Sequence, residues 1–168
     1  MTGYPLAPLA RVRRLREENA MTEYAVRTRA HQTAKQETLA RRKALEEYQF
    51  WRKEEEDRRY LEILGKELPR KEIDEFKAGI TALREKDSIL MEAVEEAQKT
   101  EEEAAKRRDE AAQILKQRRK DKEKIDTHRE IWHVGETREA ERKEDLEMEE
   151  FTAKKPYMEE SGEENSYD

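Results

Sequence analysis

The stretch Tyr48-Gln49-Phe50-Trp51-Arg52-Lys53-Glu54-Glu55-Glu56-Asp57-Arg58-Arg59-Tyr60-Leu61-Glu62-Ile63-Leu64-Gly65-Lys66-Glu67-Leu68-Pro69 decides the fold. Helix-forming residues run unbroken to Leu64. A new periodic segment then begins beyond Arg70, with Ile73, Phe76, Ile80 and Leu83. Glycine tolerates the left-handed conformation that ends a helix, and proline, which lacks an amide donor, suits the start of the next one. So short a connection between two long helices favours antiparallel neighbours. The expected fold is all-α: a long two-helix antiparallel coiled-coil hairpin with a disordered acidic C-terminal tail. The expected parts are an extended lead-in over 1–8, helix one over 9–64, the bend at 65–69, helix two over 70–154 and the tail over 155–168.

Composition agrees with such a fold. Charged residues make up 46% of the 168 and hydrophobic ones 34%, with a mean hydropathy of −1.31, so a broad globular core is excluded. Acidic and basic residues interleave among strong helix formers, which favours helix over disorder. Within the net charge of −6, residues 1–64 carry 14 basic and 11 acidic groups, 65–144 carry 20 and 22, and 145–168 carry 2 and 9. Cysteine is absent, so neither a disulfide framework nor thiol chemistry is available. No apolar run approaches the roughly 20 residues of a membrane span, so no direct membrane insertion and a cytosolic chain are expected.

The inward face of helix two is the clearer of the two. With Ile73 at position a, the a row contains Ile80, Val94 and Leu115, and the d row runs Phe76, Leu83, Leu90, Ala97, Ala104, Ala111, Arg118, Ile125, Trp132. Apolar d positions sustained over so many heptads read as a coiled-coil seam. In helix one the apolar 3–4 row Leu9, Val12, Val26, Ala30, Ala40, Ala44, Trp51, Leu61 is thinner and shares its slots with Arg16, Glu23 and Glu47. Folding about Glu67 sets residue i opposite about 134 − i, so the two rows meet and helix two overhangs beyond about Ile125.

Catalytic motifs, phosphate-binding loops and Cys/His ligand sets are missing, so no enzyme, metal or cofactor is expected. His128 and His133 are five apart, on different sides of a helix, and with His31 read as surface histidines. Tyr48, Phe50, Trp51 and Tyr60 cluster before the bend, with Trp51 on the row and Tyr48 and Phe50 flanking it. Beside Arg52 they form a candidate partner-binding surface. Trp132 stands on the overhang without a hairpin partner, a candidate second contact. At the free end, Arg11, Arg13, Arg14 and Arg16 converge on Lys116, Arg118, Arg119 and Lys122, with Arg16 facing Arg118. The overall acidity and the lack of interleaved aromatics weigh against nucleic acid, and the local excess of basic residues at this end points to an acidic protein partner.

The run Tyr48-x-x-Trp51-Arg52-x-x-Glu55-Glu56-x-Arg58 and, after the bend, Ile80-Thr81-Ala82-Leu83-Arg84-Glu85-Lys86 resemble the YscO family of bacterial type III secretion systems. So does the opening Leu9-Ala10-Arg11-Val12-Arg13-Arg14-Leu15-Arg16; flagellar FliJ is a more distant relative. The resemblance implies an antiparallel coiled-coil stalk whose free ends enter a hexameric secretion ATPase. Its bend points to the export gate protein at the inner membrane, and it binds the escort chaperones of translocator proteins. It adds Leu83 and Arg84 to the bend-side candidates, and places the chain in the cytoplasm at the base of the apparatus. A dedicated export chaperone or adaptor, or an inert coiled-coil spacer, are the competing functions.

Overall fold

A computed structural model describes residues 3–154 of the chain. The expected disordered tail over 155–168, and Met1 and Thr2 of the lead-in, lie outside the described residues. Two helices make up the fold, α1 (Ala7–Ile63, 57 residues) and α2 (Arg70–Ala153, 84 residues). Among the described residues there is no strand.

Each helix is held locally by its own charges. Glu23–Arg27 (2.7 Å), Glu37–Arg41 (2.6 Å), Lys43–Glu47 (3.8 Å) and Lys71–Glu75 (3.9 Å) are all i,i+4 pairs on the helix surface. Such pairs contribute about 0.3–0.5 kcal/mol each. At the bend, the Leu64 amide donates to Tyr60 (3.1 Å), and Gly65 then turns the chain at φ 74°, in the left-handed region. Pro69 opens α2: its carbonyl accepts the amides of Glu72 (3.0 Å) and Ile73 (3.2 Å), bonds that do not use the amide proline lacks.

The chain divides into two packed units, Leu15–Arg119 and Met1–Arg14 with Lys120–Asp168. Inside the first, α1 and α2 run antiparallel on either side of the bend. Thr38 meets Ala97, Tyr48 meets Leu83 and Tyr60 meets Phe76, close to the offset expected from folding about Glu67. The heptad of α2 is its inward face: Ile80, Leu83, Val94, Ala97, Ala111 and Leu115 are buried, and Asp87, Leu90, Glu101, Ala104 and Arg108 half-buried.

The face that α1 turns inward differs from the one expected. Val26 is 50% exposed, Trp51 47% and Leu61 71%, so the apolar row is not the seam. One residue further along, Ala20, Tyr24, Arg27, His31, Ala34, Thr38, Leu45, Tyr48, Arg52, Glu55 and Arg59 form the buried or half-buried stripe. The helix is rotated by about 100° from the expected orientation. The reason is polar. Thr38, 2% exposed, donates to the Ala34 carbonyl (3.1 Å) and across the interface to that of Ala97 (3.2 Å). His31 is not a free surface histidine either. Arg108 donates to its Nδ1 (3.1 Å), since a guanidinium has no acceptor.

In the second unit the first turns of α1 lie against α2. Ala10 and Ile125 are buried, and Arg13 donates through Nη1 to the Asp121 carbonyl (2.6 Å). Ahead of the helix, Pro5 and Leu6 form a turn that brings Tyr4 back onto α2. Residues 141–154 are exposed throughout.

Candidate partner-binding surfaces

On the bend side the aromatic residues separate into a core and a surface set. Tyr48, assigned to a flank by its spacing, is on the seam: it is 9% exposed and its hydroxyl donates to the Leu83 carbonyl (2.9 Å). Burial pushes its phenol pKa up. Leu83 is buried with it. Neither side chain is available to a partner. Trp51 takes the flank, its ring 5.6 Å from that of Tyr48, and Phe50 is 68% exposed. Tyr60 makes an edge contact with Phe76 (5.0 Å) and keeps 47% of its surface.

Where apolar knobs give out between Tyr48 and Tyr60, charges fill the seam. Arg52 bridges Glu56 (2.8 Å) and Asp87 (3.6 Å), and Arg84 reaches across to Glu56 (3.4 Å). Glu55 takes hydrogen bonds from Arg58 (2.7 Å) and Arg59 (2.7 Å), and Arg58 also pairs with Glu62. Those two arginine hydrogen bonds hold the Glu55 carboxyl down at about 2, and Glu56 is lowered by its hydrogen bond from Arg84. Arg59 also lies over Gly79, where an added Cβ would stand 2.9 Å from its Nη1. Arg52 is therefore a seam residue, whereas Arg84, with a side chain 61% exposed, is a surface one.

The basic residues expected to converge at the free end belong to both units. Of those in the first unit, Arg119 pairs with Glu17 (3.7 Å) and Arg118 is half-buried. In the second, Arg13 is committed to the Asp121 carbonyl, Lys122 is half-buried, and Arg11 and Arg14 are exposed. Arg16, expected to face Arg118, is exposed; the rotation of α1 turns Arg13 and Glu17 inward in its place.

Trp132 was expected to lack a hairpin partner and has one. Tyr4 packs on it with ring centroids 5.5 Å apart, hydrogen-bonds through its hydroxyl to His128 Nδ1 (2.8 Å) and sits under the Arg129 guanidinium at 5.8 Å. His133 completes the cluster with an edge contact to Trp132 at 4.9 Å. A tyrosine ahead of a helix has no periodic signal, so only the fold reveals the clasp.

These features define a class: an antiparallel coiled-coil protein with a narrow, partly ionic seam and its remaining aromatic and basic side chains on the surface. Among the described residues, no helix is long and apolar enough to cross a membrane and no acidic or histidine cluster could hold a metal ion. A family model described as type III secretion protein YscO matches residues 6–154, and the chain belongs to that family. Two solved structures share its fold. The YscO protein of Vibrio parahaemolyticus is 25% identical with a TM-score of 0.78, covering 87% of this chain and 92% of that one. The Chlamydia trachomatis protein CT670, described as a YscO homologue, is 24% identical with a TM-score of 0.75, covering 91% and 94%. No curated protein matches the chain. It is a type III secretion protein.

Proposed function

We propose that the chain is the central stalk of its secretion apparatus, in the cytoplasm at the inner-membrane base. Its bend-side surface contacts the export gate protein and the escort chaperones of translocators. Its free ends contact the hexameric secretion ATPase. The observation that carries this reading is the exposure of Phe50 and Trp51 ahead of the bend, aromatic surface that the seam does not use. For the ATPase contact we assign Arg11, Arg13, Arg14, Arg118, Arg119 and Lys122, whose positive charge persists whether or not each has a neighbour, together with Trp132. The mechanism is mechanical and electrostatic: different contacts at the two ends bias the conformations of the ring.

The test is the activity of the purified secretion ATPase with and without this protein. Stimulation that saturates at one chain per ring supports the stalk. No stimulation, with chaperone binding retained, supports instead an export chaperone or adaptor that works through the same aromatic surface. The absence of both stimulation and chaperone binding supports an inert spacer.

A further inference from the structure

The apolar row that does not serve as the seam remains on the surface of α1. Val26 (50% exposed), Ala30, Ala40, Ala44 and Trp51 keep their strict 3–4 spacing on a face about 100° from the one packed on α2. This stretch is also poor in charge. Residues 19–40 contain five charged side chains in 22, in a chain where 46% are charged. Two of the five, Glu23 and Glu37, are tied back to Arg27 and Arg41 within the helix. Depletion of charge on an exposed face marks the centre of protein interfaces. Beside the row, a shallow groove of about 260 Å³ walled by Ala34, Ala93 and Ala97 runs between the helices.

We propose that this face binds a second copy of the chain, the two α1 helices lying antiparallel about a two-fold axis between His31 and Gln32. The row is self-complementary in this register. At the centre, Ala30 falls opposite Thr33 of the second copy, small against small. Glu37 falls opposite Val26 and Glu23 opposite Ala40, so neither acid meets another. At each end Arg16 falls opposite Glu47, and no like charges meet along the row. Moving the pairing one heptad towards the C-terminus would set Glu23 against Glu47, which disfavours that register.

A second observation comes from α2. The pairing of Thr38 with Ala97 and His31 with Arg108 carries the same axis across α2 between about residues 103 and 108. There, Glu103 and Arg107, exposed and 3.9 Å apart, present both signs of charge to the same stretch of the second copy. The interface is isologous, as two-fold symmetry requires.

The test is sedimentation velocity of the full chain from about 1 to about 200 µM, with helicity checked by circular dichroism. A concentration-dependent monomer–dimer equilibrium is expected. Arg16→Glu and Glu47→Arg should each weaken it by about tenfold or more, because each creates two like-charge layers, and the double exchange should restore it. Val26→Glu should abolish it. All three residues are exposed in the single chain, so helicity should hold. A chain monomeric throughout, or a dimer indifferent to all of these changes, overturns the proposal. If a charge variant loses helicity, the absence of native cysteine allows a second measurement. Ala30→Cys chains mixed with Thr33→Cys chains should form the mixed disulfide faster than either forms its own; equal rates overturn the register.

Discussion

The hydroxyl of Tyr48 donates to the backbone carbonyl of Leu83 at 2.9 Å, joining α1 to α2 through a main-chain acceptor that no substitution in α2 can remove. Thr38 on Ala97 and Arg13 on Asp121 repeat the device. Register between the helices therefore depends on α1 side chains reaching fixed points on the α2 backbone. Tyr48→Phe should lower stability by about 1 kcal/mol, the net contribution of such a bond, and Tyr48→Ala by about 3 kcal/mol or more. Trp51→Ala, on a half-exposed ring, should cost no more than about 1 kcal/mol. Urea unfolding followed by circular dichroism ranks the three, and a larger loss at Trp51 than at Tyr48 would reverse the assignment of the seam.

Thr38 has no room to spare. Thr38→Val keeps the shape, loses both hydroxyl bonds and should cost about 1 kcal/mol. Thr38→Leu adds volume between helices held together by small residues and should cost about 1–3 kcal/mol. The outcome that contradicts close packing is a Leu variant as stable as the parent in the same urea series.

Acid should act on the bend-side network late. A carboxyl lowered from an ordinary 4.5 to about 2 contributes stability that is complete above 4.5 and is lost as pH falls through that window towards 2. The Glu55 carboxyl should therefore titrate near 2 by NMR. Glu55→Gln should remove its share of the pH dependence below 4.5 and nothing above it. A Glu55 midpoint at 4 or higher would show that the arginines do not hold it.

For binding, Trp51→Ala and Phe50→Ala should impair association with the gate protein or chaperone while melting stays near that of the parent. Arg52→Ala is the poorer probe. It strips Asp87 of its cross-helix cation and should cost about 1–3 kcal/mol of stability as well. Pull-downs with matched melting curves separate the two effects. Unchanged binding by a folded Trp51→Ala, Phe50→Ala chain removes this surface from the function.

Charge reversal tests the free ends. Arg11→Glu with Arg14→Glu, both exposed, and separately Arg118→Glu with Arg119→Glu, should each abolish ATPase stimulation and leave chaperone binding intact. Docking should weaken as salt is raised, since exposed charges are screened over about 10 Å at 0.1 M. ATPase titrations across a salt series read both effects. Salt-insensitive docking means these residues are merely solvated.

Much of the fold is legible in the residues taken in order. Gly65 and Pro69 mark the bend, because one tolerates positive φ and the other lacks an amide. The inward face of α2 follows from Ile80, Leu83, Val94, Ala97, Leu115 and Ile125, which recur at the heptad spacing. The candidate surfaces were legible as residue types, aromatic before the bend and basic at the free ends, but not as exposures. Tyr48 and Trp51 exchanged roles, and Tyr4 came to cover Trp132 from outside any periodic segment.

By itself, the sequence determined that there are two helices, where the chain reverses, and which row of α2 faces inward. Periodicity and backbone chemistry are local properties, and both were strong there. Only the tertiary structure decided which face of α1 turns inward. Its apolar row is too thin to outweigh the alternative, since alanines and a few larger side chains bury little area on either face. The balance is set by Thr38, Tyr48, Arg52 and Glu56, whose bonds exist only once Ala97, Leu83, Asp87 and Arg84 stand opposite. Those partners lie 28 to 59 residues away along the chain, so no window on α1 contains them.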